Sequence, residues 1–309
     1  MGTVFVTGAT GVLGKGAVAE LVRTGHAVRG LARNSDRAGA VAATGAEPVV
    51  GDLYDIDDMK RAIAGCDTVM HLATRIPPIM QARRASAWAE NNKLREEGTR
   101  VLVDAALANG VRHFVAESIT FIYEDGGAAW LDEHSPVDAG VGLHAVVTLE
   151  REVARFTEGG GIGIALRFGA FYGADARNAE EFLTAAKRRI APTVGPATGY
   201  VSSIETGDAG RATVAALAAP AGVYNVVDDA PLTRRELADA FADAFGLHKL
   251  HIPPALAVRV AGGTSAQALT RSQRVSNAAF KAATGWAPVQ PSAVEGWKAI
   301  AASRGKSNG

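Results

Sequence analysis

"TVFVTGATGVLGKGAV", Thr3 to Val18, decides the fold. A short β-branched run leads into a turn holding Gly8, Gly11 and Gly14, and a helical pattern starts directly behind it. Glycines at these places permit a tight turn, a close approach of backbone N–H groups to a pyrophosphate, and tight packing of helix on strand. The helix N-terminus adds a preference for an anion. An ordinary glycine-rich strand-to-helix turn has the same composition. The position between first strand and first helix, at the head of a repeating series, favours dinucleotide binding, with Thr10, Val12 and Leu13 expected beside the glycines as cofactor contacts.

Working outward, apolar runs alternate with helical segments: "HAVRGLAR" (His26–Arg33), "AEPVVGDL" (Ala46–Leu53), "CDTVMHLA" (Cys66–Ala73), "VRHFVAES" (Val111–Ser118) and "GIGIALRFG" (Gly161–Gly169). Strands separated by helices predict a parallel sheet with right-handed crossovers, hence an α/β fold with a Rossmann-type doubly wound parallel sheet. The rhythm breaks after Gly173, and a last strand, "GVYNVVDD" (Gly222–Asp229), follows. The expected division is a nucleotide-binding domain of residues 1–173 and 204–227. A smaller C-terminal substrate lobe and lid would comprise residues 174–203 and 228–309.

With 309 residues, 48% of them hydrophobic, the chain can bury a large core. Its 32 basic and 32 acidic residues cancel, giving no electrostatic reason to expect nucleic acid or an anionic membrane as partner. Cys66 is the one cysteine, which excludes an intrachain disulfide. No apolar run approaches the ~20 residues that span a bilayer, and the sequence opens on a strand with no secretory pattern ahead of it. A cytoplasmic protein is expected. "HKLH", with His248 and His251, lacks further ligands for zinc and reads as solvated surface; no metal is expected.

The end of the second strand selects the nicotinamide cofactor. An acid there bonds a ribose 2′-hydroxyl, whereas an arginine accommodates a 2′-phosphate. Here "LARNSDR" places Arg33 at the strand end and no acid before Asp36, so NADP(H) is expected.

"TGATGVLG", "GDLYD", "MHLAT", "EEGTRVLVDAALANGVRHFV", "LRFGAFYG", "SSIETGDAGRATVAAL" and "GWAPVQPSAVEGW" together resemble the short-chain dehydrogenase/reductase superfamily, in its extended or atypical NAD-dependent epimerase/dehydratase-like branch. The resemblance covers nearly the whole chain. It implies that Asp52 and Leu53 contact the adenine, that Leu72, Ala73 and Thr74 line the ribose and nicotinamide side, and that Phe168 adjoins the cofactor. It also implies a monomer or homodimer.

The same family uses a Ser or Thr, a Tyr and, four residues later, a Lys. No Tyr-x-x-x-Lys occurs in this chain: four residues beyond tyrosines 54, 123, 172, 200 and 224 lie Asp58, Gly127, Ala176, Ile204 and Asp228. Gapless alignment sets Gly142 and Val146 at the Tyr and Lys positions; a slip of two would set His144 and Thr148 there. Measured back from Tyr123 in "ESITFIYED", the Ser/Thr position holds Ile119 between Ser118 and Thr120. The usual mechanism is therefore excluded.

Ser118, Thr120 and His144 remain as candidate catalytic groups, against ordinary readings as backbone-satisfied hydroxyls and a solvent-facing histidine. Tyr123 and Tyr172 read as packing residues. A polycyclic phenol or quinone can instead stabilise its own alkoxide, leaving the protein to position it in a dry pocket. Ile119, Phe121, Val146, Phe168 and Phe171 would line that pocket under a lid from Ala174 to Ser203. The expected function is an NADPH-dependent ketoreductase acting on a hydrophobic aromatic small molecule, resembling the ketoreductases that tailor aromatic polyketides such as angucyclinones. The alternatives are a non-catalytic NADP(H) sensor and a sugar-nucleotide epimerase or dehydratase.

Overall fold

The computed structural model describes residues 2–77, 84–140, 143–174, 179–254 and 268–307. Strands β1 (Thr3–Thr7), β2 (Ala27–Ala32), β3 (Glu47–Val50), β4 (Thr68–His71), β5 (His113–Ile119), β6 (Ile162–Phe168) and β7 (Gly222–Val226) form one sheet. Their order is β7-β6-β5-β4-β1-β2-β3, and every pairing is parallel. This is the doubly wound sheet expected from the alternating runs, with its order reversing beside β1.

Both faces of the sheet are covered, which is why its strands read as near-continuous apolar runs. On one face, Val4, Val6, Met70, Val115, Ile164 and Leu166 pack under α1 (Val12–Arg23), whose Leu13, Ala17 and Leu21 face inward. On the other, Phe5, Val69, Phe114, Ala116 and Ala165 belong to a core with Met59 and Ile63. Successive strand residues thus serve opposite cores, as a period of two requires.

The remaining α-helices among the described residues are α2 (Ser35–Ala42), α3 (Ile56–Ile63), α4 (Ala89–Lys93), α5 (Thr99–Ala108), α6 (His144–Glu158), α7 (Ala179–Lys187), α8 (Thr206–Ala215), α9 (Arg234–Ala244), α10 (Ala278–Thr284) and α11 (Ala293–Ser307). A π-helical turn, Leu94–Gly98, joins α4 to α5. A separate apolar cluster, including Tyr172, Leu237, Phe241, Leu250, Trp297 and Ile300, ties α9 to α11. In the stretch expected to form the lid, α7 is helical, while residues 175–178 lie outside the described residues.

Two close approaches join these parts. A Cβ on Gly210 of α8 would stand 2.7 Å from the carbonyl carbon of Gly16 in α1, so the two backbones meet where glycine faces glycine. From the same helix, the wholly buried Asp208 carboxylate accepts the N–H groups of Val289 (2.7 Å) and Gln290 (2.9 Å). No helix among the described residues is long and apolar enough to cross a membrane.

Candidate functional site

Strand ends set the site. β2 stops at Ala32, β3 at Val50 and β4 at His71, leaving Arg33, Asp52, Leu53, Leu72, Ala73 and Thr74 on the loops that follow them. At the β1–α1 turn Gly8 has φ +75°. A Cβ there would lie 2.6 Å from the Leu72 carbonyl oxygen and 2.7 Å from the Ala73 nitrogen, and one on Gly14 would lie 2.0 Å from the Gly8 carbonyl oxygen. The Gly11 N–H closes the turn on the Gly8 carbonyl at 2.8 Å.

Helix α1 starts on Gly11 with no side-chain cap and no acid in its first turn. By contrast α2, α3, α8 and α9 begin on Asn34, Asp55, Glu205 and Thr233, each of which accepts N–H bonds from its own helix. The leading N–H groups of α1 are therefore free of side-chain acceptors, and the turn excludes a Cβ at Gly8 and Gly14. That cradle fits the pyrophosphate of a dinucleotide.

Around it, Thr10, Gly11, Arg33 and Asp52 are exposed, and Val12, Ala73 and Thr74 are half-buried. Leu13, Leu53 and Leu72 are buried behind this rim. Asp52 accepts the Tyr54 N–H at 3.0 Å. Phe168 is wholly buried in the core on the α1 side, its ring centroid 5.4 Å from that of Phe171. Of the residues expected to line a pocket, Ile119, Phe121 and Phe171 retain exposure, whereas Val146 and Phe168 belong to the interior.

Helix α6 turns Ala145, Val146, Leu149, Val153 and Phe156 inward. Val146, 2% exposed, stands where gapless alignment sets the lysine; Gly142 lies outside the described residues. One turn beyond Val146, Glu150 reaches the sheet. Its carboxylate takes two hydrogen bonds from Arg167 of β6, at 2.7 and 2.8 Å, and the Ser118 hydroxyl donates to it at 2.6 Å. Arg167 also donates to the Tyr123 hydroxyl (2.8 Å), which donates in turn to Asn225 (2.8 Å). Burial works against the Arg167 charge, but the bonds and attraction from Glu150 outweigh it and hold the guanidinium above its usual pKa.

Ser118 is thus wholly buried with its proton directed at a carboxylate. Thr120, 1% exposed, opens a 3₁₀ turn of Thr120–Ile122. His144 opens α6 at the surface, its Nε2 3.0 Å from Glu96 Oε1, and its carbonyl accepts the Thr148 hydroxyl. The structure brings Ser118 and Thr120 to one strand end and leaves His144 on an exposed helix start.

Sequence reasoning missed two buried ion pairs here. Besides Arg167–Glu150, Arg95 of the π-helical turn lies 3.6 Å from the Glu117 carboxylate and donates to the Glu117 carbonyl at 2.9 Å. Burial pushes Glu117 up to about 7 against the pull of Arg95. The signal was present: a sheet covered on both faces cannot hold an unpaired charge, so Glu117 in "HFVAESI" and Arg167 in "IGIALRF" each demanded a partner. His71, buried at the end of β4, sits between the Thr7 hydroxyl (2.7 Å, at Nδ1) and the Leu94 carbonyl (3.1 Å, at Nε2), and burial lowers its pKa to about 4. No group of three or more metal-ligating side chains occurs among the described residues.

A profile described as NAD(P)H-binding matches residues 8–141. A 3-diazoavenalumate denitrifying reductase from Streptomyces sp is 33% identical over 302 residues, covering 94% of this chain and 97% of its own. A 4-hydroxy-2-methyl-3-oxo-4-farnesyl-3,4-dihydroquinoline-1-oxide ketoreductase from Stigmatella aurantiaca is 34% identical over 122 residues, 40% of this chain and 35% of that one. Among solved structures, the human epimerase family protein SDR39U1 (isoform 2) with NADPH superposes with a TM-score of 0.82 at 23% identity, over 97% of this chain and 99% of that one.

Proposed function

The chain belongs to the atypical, epimerase-like short-chain dehydrogenases/reductases, an NAD(P)-binding family, and from that premise we propose that it is an NADPH-dependent ketoreductase of a hydrophobic, polycyclic aromatic substrate that works without a Tyr/Lys pair. The coarser statement, an NAD(P)-dependent oxidoreductase, follows from the family and its reductase members. The observation that carries the finer reading is the altered chemical half of the site. Ile119 and Val146 are apolar, and the adjacent Ser118 gives its proton to Glu150.

Reduction of a ketone develops an alkoxide that must be protonated or stabilised. A phenol beside the reacting carbonyl does this within the substrate. NADPH, when bound, supplies the hydride. The protein's share is then placement: the Gly8–Gly14 turn holds the pyrophosphate, and Arg33 forks onto the 2′-phosphate. Leu72, Ala73 and Thr74 flank the nicotinamide side, and Ile119, Phe121 and Phe171 keep water from the carbonyl.

The full-length similarity to a denitrifying reductase supports a second reading, hydride transfer to an aromatic diazonium group. Hydride adds to the terminal nitrogen, and the aryldiazene formed loses N₂ as its N–H hydrogen passes to the ring carbon. No protein acid enters that balance either.

The test is turnover of NADPH, with NADH as control, against polycyclic aromatic ketones, quinones and aryldiazonium salts, following nicotinamide absorbance and N₂ release. Ketone reduction supports the first reading; N₂ release without ketone reduction supports the second. Tight NADPH binding with no turnover across the panel would overturn both in favour of a sensor. Arg33→Ala is expected to weaken NADPH binding by about ten- to a hundredfold and NADH binding little.

A further inference from the structure

Arg189 is the one non-glycine residue among those described with positive φ, +59°. It stands just past α7. The Arg189 N–H donates to the Ala186 carbonyl (2.8 Å) and the Ile190 N–H to the Ala185 carbonyl (3.0 Å), a helix ending whose left-handed position ordinarily holds glycine. A β-carbon is strained there, and glycine would relieve it. Lys187 already supplies a cation to the last turn of α7, so the helix's negative end does not itself call for Arg189.

What the arginine reaches is a cavity. The His251 N–H donates to the Arg189 carbonyl (2.7 Å) and the Ala191 N–H to the His251 carbonyl (2.9 Å), fixing the two residues side by side. With Arg235 and Lys249 they line a cavity of about 440 Å³ that Leu250 and Ile252 also line. Arg235 is committed: it holds the Asp239 carboxylate at 2.7 and 3.0 Å and donates to the Leu250 carbonyl at 3.0 Å. Arg189 and Lys249 have no counterion among the described residues. None of the lining residues comes from the seven-stranded sheet or the glycine turn.

We propose that this cavity is a binding site for a small organic anion, a carboxylate or phosphate on a short apolar body, held by Arg189 and Lys249 and seated against Ala197 and Ile252. The volume suits a small molecule. The guanidinium fork matches either anion, and the apolar wall selects against the bare ion. The proposal stands apart from the reduction chemistry.

Calorimetric titration of the purified protein with 1-naphthoate and with inorganic phosphate tests it. Naphthoate is expected to bind more tightly than phosphate, and more weakly at high salt. Arg189→Gly and Lys249→Ala are each expected to weaken naphthoate binding about tenfold while leaving NADPH binding unchanged. Arg189→Gly should also melt about 2 °C higher than the parent, an effect opposite to that of a damaged fold. No binding of either probe, or unchanged naphthoate affinity in both variants, would overturn the site.

Discussion

The start of α1 and the start of α6 both serve the carboxyl edge of the sheet, and neither helix has a side-chain cap. The first is built from backbone. Its function is turn geometry, and every position that must lack a Cβ lacks one. The second is a matter of side chains, and there the buried Val146 stands where gapless alignment sets the lysine, while Glu150 and Arg167 clamp the helix to β6. The face around Val146 can vary without disturbing the scaffold, because the clamp lies one turn beyond it. A backbone site has no such separation between scaffold and function.

Gly14→Val should show that contrast most strongly. The new side chain meets the Gly8 carbonyl far inside contact distance, so the turn must open. NADPH affinity is expected to fall at least about a hundredfold in a fluorescence titration, the cost of a few kcal/mol of turn distortion. Binding within a few-fold of the parent would break the claim that the backbone is the site.

Glu150→Ala should damage the scaffold of the other half. It strands the Arg167 charge in the interior, at a cost of about 3–5 kcal/mol in denaturant unfolding. Glu150→Gln, which removes the charge but keeps one acceptor oxygen for Arg167 and Ser118, should cost less. Equal losses would mean that the charge, which both variants remove, carries the whole effect and the hydrogen bonds add nothing.

Next in size are two opposed pH effects beneath the site. His71 is neutral in the fold, its pKa down from 6.5 to about 4, so its contribution is complete above 6.5 and lost as pH falls towards 4, by about 3 kcal/mol. Glu117 runs the other way: raised from 4.5 to about 7, it favours the fold below 4.5 and loses that advantage as pH rises through 7. Stability against pH should therefore be flattened between 4.5 and 6.5. His71→Gln should remove the acid-side loss and Glu117→Gln the alkaline-side loss; a parent-like profile in either variant contradicts the assignment.

The smallest effects are expected at the catalytic candidates. Ser118→Ala and His144→Ala should each change turnover of the identified substrate less than about threefold, since one hydroxyl faces Glu150 and the histidine is exposed beside Glu96. Complete loss in either variant, with NADPH affinity intact, would sink the substrate-assisted mechanism.

The same contrast explains what could be read from the sequence. Gly8 and Gly14 announce a turn because a Cβ at either would run into backbone, and strand ends carry Arg33, Asp52 and Ala73 to the rim wherever the fold is doubly wound. Both follow from local rules. The Ser118–Glu150–Arg167 arrangement joins residues 32 and 17 positions apart, and no periodicity reveals such a pairing. Tyr123 read as packing, and it is buried, but its hydroxyl bridges Arg167 and Asn225. The π-helical turn that carries Arg95 was also invisible, since "LREEGTRVLVDAALANG" reads as an uninterrupted helix.

The meeting of Gly16 with Gly210 has a practical corollary for anyone grafting parts of this protein. Asp208, two residues from that crossing, carries the backbone at Val289 and Gln290, so the C-terminal segment hangs from α8, and α8 rests on the nucleotide helix with no side chain between them. A chimera that exchanges the C-terminal segment should keep α8 with its original α1.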